Sequence, residues 1–132
     1  ALTGIAVRDD ASLRAALAVF TALGCPHVLF KGGHGLGNVA EDVLADGETG
    51  ALQRLAAPRQ ATRHTHGTGC TLATAIACGL AQGLTRAEAV GRAHRFVQQA
   101  IFTAPGLGHD FGPLNHAITS AWVSAPGRDP GP

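Results

Sequence analysis

Residues 63–83 read RHTHGTGCTLATAIACGLAQG, and this stretch decides the fold of the chain. A Gly-Thr-Gly-Cys turn at residues 67–70 leads directly into residues that are nearly all small or apolar. They predict a helix from Thr71 to Gln82 that ends at Gly83 and is buried on all sides. A thiol, Cys70, therefore lies where a glycine turn becomes a helix. It could be a metal ligand, a nucleophile, a core residue or a group that faces an anion.

The glycine turn is typical of an anion site. The first amides of a helix have no partner within the helix and carry partial positive charge. A glycine-rich turn lets such amides converge on a phosphate or an oxyanion. Gly67 and Gly69 permit a close approach because they have no side chain, and Thr68 and Thr71 add hydroxyl groups. These residues predict a phosphate or oxyanion cradle beside Cys70, and a plain turn before a buried helix is the alternative.

Cys70 has competing interpretations. The positive end of a helix favours a thiolate, which accepts a proton better than a thiol, whereas most free cysteines are small buried residues. Zinc needs four ligands, and the set His64, His66 and Cys70 lacks a second close pair, so no metal site is predicted. A hydrolase is disfavoured because no carboxylate lies near Cys70 in the sequence, although a later loop could return His109, Asp110 and His116. Cys78, further along the helix, is predicted to be buried.

The composition excludes several classes of protein. The chain has 132 residues, 45% hydrophobic and 14% charged, so it can form a single domain with a real core. Its net charge of +1 predicts neither a nucleic acid nor an anionic membrane as a partner, and no run reaches the roughly 20 apolar residues of a membrane span. Three widely spaced cysteines indicate reduced thiols and a cytoplasmic location. Because methionine is absent, we expect a fragment or a processed product.

Helical and extended patterns alternate along the chain. A first helix is predicted within residues 9–24, with apolar residues at helical spacing and a cap at Asp9, Asp10 or Ser12. Strands are predicted at residues 27–30, 39–44 and 51–55, the last two around an Asp46-Gly47 turn. Thr85 and Glu88 form a capping box for a last helix that runs to about Thr103. This order of elements is typical of an α/β protein.

Lys31 is a second candidate for contact with a ligand. It ends the first strand at the edge of a glycine-rich loop, KGGHGLG, where α/β sheets usually bind ligands. The loop has the spacing of a dinucleotide fingerprint or a P-loop, but a strand rather than a helix is predicted after it. Asn38 also stands where a P-loop has its lysine. An ordinary surface lysine is the alternative.

Three motifs in this order, VLFKGGH, THGTGCTLATAIACGLAQGLTRAEAV and GLGHDFGPLNH, resemble the hydroxymethylpyrimidine/phosphomethylpyrimidine kinases of thiamine biosynthesis, members of the ribokinase-like superfamily. The resemblance covers residues 1–118, although the run before the turn, residues 61–66, departs from the usual D-T-K-N-T-H, and the N-terminal half of the family is missing. It implies the C-terminal part of a ribokinase-like three-layer α/β sandwich. That part would have a mostly parallel sheet with a hairpin, helices packed on the sheet, and a flexible tail at residues 119–132.

The resemblance also implies a reaction. Family members transfer a phosphoryl group from ATP, with Mg²⁺ held mainly through the phosphates. The acceptor is the hydroxymethyl group of 4-amino-5-hydroxymethyl-2-methylpyrimidine and then its phosphate ester. The resemblance assigns the anion hole to Gly67, Thr68, Gly69 and Cys70, with Cys70 where ribokinase-like sugar kinases have an aspartate base. It places on the nucleotide side the residues Lys31, Thr65, His66 and Thr71.

Two alternatives remain open. In the family, most of the pyrimidine pocket belongs to an N-terminal half, so this chain is expected to need that half, or a second copy of itself, as a partner. The chain could instead be a non-catalytic module that binds a nucleotide or phosphate. Hydroxyethylthiazole kinases also have a GTGC turn, so a thiazole alcohol is an alternative substrate, which KGGH and GHDFGPLNH disfavour.

Overall fold

The computed structural model describes residues 2–32 and 37–118 of the chain, so the predicted tail lies outside the described residues. The elements in chain order are α1 Asp10–Ala22, β1 His27–Phe30, β2 Val39–Asp46, β3 Leu52–Pro58, α2 Thr68–Ala81 and α3 Arg86–Phe102. They divide into two compact units, Ala1–Pro58 with α1 and the strands, and Arg59–Pro132 with α2 and α3. The mixture of helices and strands confirms the α/β class. Within the described ranges, no helix has both the length and the apolar character to cross a membrane.

Helix α1 begins at a cap that the sequence predicts. The Asp9 carboxylate accepts a hydrogen bond from the Ser12 amide at 2.8 Å, and the Ser12 hydroxyl accepts one from the Asp9 amide at 3.1 Å. Side chains at helical spacing then cover the sheet, and the buried core of this unit consists of Leu13, Leu17, Val43 and Ala45. The period of the apolar residues therefore decided which face of α1 is buried.

The three strands form one sheet in the order β1-β2-β3, and both pairs are antiparallel. In this register His27 pairs with Asp46, and Ala45 pairs with Leu52. The expectation of a mostly parallel sheet is therefore wrong for the described residues. A parallel pair needs a crossover of about a dozen residues or more. Residues 31–38 join β1 to β2 and residues 47–51 join β2 to β3, and both connections are too short for a crossover.

The connection between β2 and β3 confirms the predicted hairpin. Asp46 organises it, because one carboxylate oxygen accepts hydrogen bonds from the amides of Glu48 at 2.8 Å and Thr49 at 3.1 Å. The hydrogen bond from Thr49, followed by that from Glu48, lowers the pKa of the Asp46 carboxyl below its ordinary value. This exposed turn therefore links protonation to folding.

We expect Asp46 to contribute to the loss of stability in acid. Its pKa is lower in the folded than in the unfolded chain, so its stabilising effect is present above the unfolded pKa of about 4. The effect is lost as the pH falls through the folded-state pKa. Urea unfolding midpoints of the full-length protein should therefore fall less steeply in acid for Asp46→Asn than for the wild type. The control, Glu48→Gln, should keep the wild-type slope, and equal slopes for Asp46→Asn and the wild type would contradict the role of Asp46.

Helices α2 and α3 pack against each other in the second unit. As predicted, α3 begins at a capping box formed by Thr85 and Glu88. Its buried side includes Val90, Ala93, His94 and Val97. Gly79 of α2 lies at the contact, where an added Cβ would stand 2.9 Å from the Cβ of Ala89. The two helices therefore approach each other closely because α2 has no side chain at this position.

Helix α2 differs from its prediction in two respects. It begins at Thr68 rather than Thr71, so the glycine turn is partly helical. It is also not buried on all sides, because only Leu72 and Gly79 are buried in α2, whereas Cys78 is exposed. The predictions of all-round burial and of a buried Cys78 are therefore wrong. Small and apolar residues also occur on surfaces, and composition does not show which face of a helix a neighbour covers.

Candidate functional site

The glycine turn and the first turn of α2 form the candidate site. Gly67 is the N-cap of α2, and its φ of +85° is a left-handed conformation that favours glycine. Its carbonyl oxygen accepts a hydrogen bond from the Thr71 amide at 2.9 Å, and the Thr65 carbonyl accepts one from the Thr68 amide at 3.3 Å. The turn therefore delivers the chain into α2 with residues 68–71 at the start of the helix.

The N-terminus of α2 has no side-chain cap. Helices α1 and α3 both begin with capping boxes, whereas among the residues that the structure describes no side chain caps the N-terminus of α2. The Thr68 amide already donates to the Thr65 carbonyl, so the amides of Gly69 and Cys70 are the ones that can meet an external acceptor, and the helix dipole adds partial positive charge at the same place. Gly69 and Cys70 are exposed here, and an added Cβ at Gly69 would meet nothing within 4 Å. This geometry suits an anion better than the plain turn that was the alternative.

The loop after α3 brings His116 to the same turn. Its Nε2 lies 2.9 Å from the hydroxyl oxygen of Thr71. The loop is held in place by buried Leu114 and by the backbone N–H of Asn115, which donates a hydrogen bond to the carbonyl oxygen of Ala100 at 3.0 Å. From the sequence alone, His116 is only one of three residues that a later loop could bring back near Cys70. Its place beside Thr71 depends on contacts between residues far apart in the sequence.

The run before the turn contacts the same loop. His66 and Pro113 form an isolated parallel bridge. The ring of His64 fills the space beside Gly112, where an added Cβ would stand 2.1 Å from the histidine Nδ1. Both histidines therefore take part in the packing of this loop. Across residues 2–32 and 37–118, no group of three or more His, Cys, Asp or Glu side chains could hold a metal ion.

A cavity of about 540 Å³ lies between α2 and α3 and reaches the first turn of α2. Its lining residues are Cys70, Thr71, Thr74, Ala75, Cys78, Gln82, Arg92, Ala93, Phe96 and His116. No carboxylate is among them, so these residues offer no acidic ligands for a divalent cation. Cys70 therefore lies at one end of a largely uncharged cavity, beside the uncapped amides.

Lys31 belongs to the other unit and lies just after β1, as the sequence predicts. Its side chain is 42% exposed, and its Nζ lies 3.9 Å from a carboxylate oxygen of Asp42. Residues 33–36 of the glycine-rich loop lie outside the described residues. A strand, β2, begins at Val39, whereas a dinucleotide fingerprint or a P-loop leads into a helix. The loop therefore does not have the structural context of either motif.

Comparison with known proteins relates the chain to a group of kinases. Residues 1–115 match the family described as phosphomethylpyrimidine kinase. The hydroxymethylpyrimidine/phosphomethylpyrimidine kinase of Streptomyces coelicolor is 48% identical over 115 residues, which cover 87% of this chain and 42% of that protein. The thiamine biosynthesis bifunctional protein ThiED of Geobacter sulfurreducens is 44% identical over 119 residues, which cover 90% of this chain and 24% of that protein. The chain thus spans less than half the length of either relative.

A solved structure gives the fold. The pyridoxal kinase of Staphylococcus aureus in complex with AMP-PCP and pyridoxal is 30% identical and has a TM-score of 0.74. The similar region covers 83% of this chain and 41% of that chain. This similarity confirms the ribokinase-like fold expected from the sequence motifs.

Proposed function

The chain belongs to the phosphomethylpyrimidine kinase family, and on that premise we propose that it is the part of a kinase that handles the nucleotide and the transferring phosphoryl group. Residues 1–118 would be the C-terminal part of the kinase domain. The whole enzyme would phosphorylate the hydroxymethyl group of 4-amino-5-hydroxymethyl-2-methylpyrimidine and then its phosphate ester, in thiamine biosynthesis. Because all three cysteines of the chain are free, a cytoplasmic location is consistent with this role.

The observation that supports the proposal most strongly is the uncapped N-terminus of α2 after a left-handed Gly67. Phosphoryl transfer depends mainly on positioning and on stabilising charge that develops on the transferred group. The amides of Gly69 and Cys70 would supply that stabilisation as an anion hole, fixed before the reaction begins, and Gly67 and Thr68 would form the turn that presents these amides. Thr71, Thr65 and His66 of the same turn would contact the nucleotide side. Lys31, from the other unit, would meet the nucleotide phosphates.

Cys70 would act on the hydroxyl group that attacks. The hydroxyl oxygen forms a bond to the γ-phosphorus, the bond from that phosphorus to the bridging oxygen breaks, and ADP leaves. The hydroxyl proton passes to the Cys70 sulfur, or Cys70 orients the hydroxyl while the proton passes to solvent.

The assignments of ATP and of Mg²⁺ rest on different observations. The solved relative that holds AMP-PCP supports ATP as the phosphoryl donor. The residues that line the cavity beside Cys70 include no carboxylate, so Mg²⁺ would be held mainly through the nucleotide phosphates rather than by this part of the protein. When bound, Mg²⁺ would neutralise charge on those phosphates.

The chain would work together with a partner surface. It spans 42% of the length of the Streptomyces coelicolor kinase, and most of α2 is exposed although the helix is rich in small and apolar residues. A covering surface from the remainder of such a kinase, or from a second copy of the chain, would bury that face and supply the alcohol pocket. A module that binds nucleotide without catalysis is the alternative if neither is present.

The proposed function is tested by the choice of substrate. The full-length protein that contains this chain should form ADP from ATP in the presence of the pyrimidine alcohol and of its monophosphate. With hydroxyethylthiazole or pyridoxal, kcat/KM should be lower by at least about 100-fold. Preference for the thiazole or for pyridoxal would overturn the substrate assignment. Calorimetric binding of AMP-PCP without turnover of any alcohol would favour the non-catalytic module.

A further inference from the structure

Asp42 is a buried carboxylate that the proposed function does not use. It lies in β2, opposite Leu55 of β3, and is 7% exposed. A buried carboxylate is unfavourable unless it is paired or hydrogen-bonded. One oxygen accepts a hydrogen bond from the Gly32 amide at 3.0 Å, and the other lies 3.9 Å from Nζ of Lys31. Both oxygens therefore face the residues that follow β1.

Gly32 is held against β2 by more than this hydrogen bond. An added Cβ at Gly32 would stand 2.1 Å from the carbonyl oxygen of Glu41. Only glycine fits such a close approach of two backbones. Two consecutive residues of β2, Glu41 through its backbone and Asp42 through its side chain, therefore fix the position at which the chain leaves β1.

Lys31 is the cation that Asp42 faces. The arginine of this sheet, Arg54, is engaged elsewhere, because it pairs with both Asp10 and Glu41. Lys31 has a flexible four-carbon stem and three N–H donors, and its side chain is 42% exposed. Contact with one carboxylate limits the positions of the ammonium group and leaves donors free for another anion.

We propose that Asp42 is a positioning residue, which holds the Lys31 ammonium group in place for contact with the nucleotide phosphates, while the hydrogen bond that it accepts from the Gly32 amide fixes the chain just after that lysine. The inference rests on the proposed function in one respect, the assignment of Lys31 to the nucleotide. Asp42 itself touches no substrate. Its effect passes through Lys31, so its loss matters only while the lysine is present.

A double-mutant cycle tests this dependence in the full-length protein. The variants are Asp42→Asn, Lys31→Met and the combination, and the measurement is the Kd of AMP-PCP by calorimetry. We expect Asp42→Asn to weaken binding by about threefold to tenfold in the wild-type background and by less than about twofold in the Lys31→Met background. An equal effect in both backgrounds, or no effect in either, would overturn the proposal.

The cycle has internal controls. Glu41→Gln removes the neighbouring carboxylate, which pairs with Arg54, and should leave the Kd unchanged. Asparagine can still accept the Gly32 amide, and thermal unfolding checks that the variant folds. If Asp42→Asn does not fold, Asp42→Glu, which keeps the charge, replaces it in the cycle. Asp42→Glu should weaken the binding of AMP-PCP only when Lys31 is present, and weakening in the Lys31→Met background would overturn the proposal. If the wild type does not phosphorylate any alcohol, only the proposed function is overturned, because the cycle measures the Kd of AMP-PCP and not turnover.

Discussion

Replacement of Cys70 by alanine in the full-length protein is expected to lower kcat for the pyrimidine alcohol by about 10²- to 10⁴-fold, the usual contribution of a proton acceptor. Binding of AMP-PCP should change by less than about threefold, because the anion hole is formed by backbone amides that alanine retains. The residue is exposed at the first turn of α2, so the substitution leaves no cavity in the core. Steady-state kinetics and calorimetry on the same preparation measure the two effects.

Two further variants identify the role of the thiol. Cys70→Asp replaces one proton acceptor with another, so it should retain more activity than Cys70→Ala if Cys70 removes the proton. If Cys70 only orients the hydroxyl group, the two variants should be similarly impaired. Cys25→Ala is the control, because Cys25 is also an exposed thiol and does not line the cavity beside Cys70, so its kcat should equal that of the wild type. Unchanged turnover in Cys70→Ala would exclude a catalytic role.

Features set by near neighbours in the sequence are predictable from it. The capping box of Thr85 and Glu88 starts α3, and Asp9 caps α1, because each pair lies within one helical turn. Asp46 and the residues after it make the hairpin turn for the same reason. The GTGC turn belongs to this class only in part, because a glycine turn that leads into a helix was predicted but α2 begins at Thr68, three residues earlier than expected.

Features set by distant contacts are not predictable in the same way. All-round burial of α2 is wrong because the residues of α2 do not determine which of its faces α3 covers. The position of His116 beside Thr71 depends on a loop that returns across 45 residues of sequence. The direction of the strands is a different case. The short connections already exclude a parallel crossover, but the resemblance to a largely parallel fold suggested one.

Gly69→Ala is expected to have opposite effects on stability and activity. Gly69 lies in the first turn of α2, and an added Cβ would meet nothing within 4 Å. Alanine should therefore stabilise the protein by up to about 1 kcal/mol, because glycine loses more backbone freedom in a helix. The same methyl group would stand where an anion approaches the amides. Loss of the contact with one donor of an anion hole lowers kcat by about 10²- to 10³-fold. Steady-state kinetics and the unfolding midpoint of Gly69→Ala measure the two effects.

Gly79→Ala in the same helix is the matched control for this prediction. There an added Cβ would stand 2.9 Å from Ala89 Cβ and 3.1 Å from an Arg92 nitrogen, so we expect a loss of about 1–3 kcal/mol from overpacking. Turnover per folded molecule should remain close to that of the wild type, because the substitution lies about three turns from the glycine turn. A Gly69→Ala protein that is more stable and fully active would contradict the anion hole, because an unhindered helix terminus would then have no part in phosphoryl transfer.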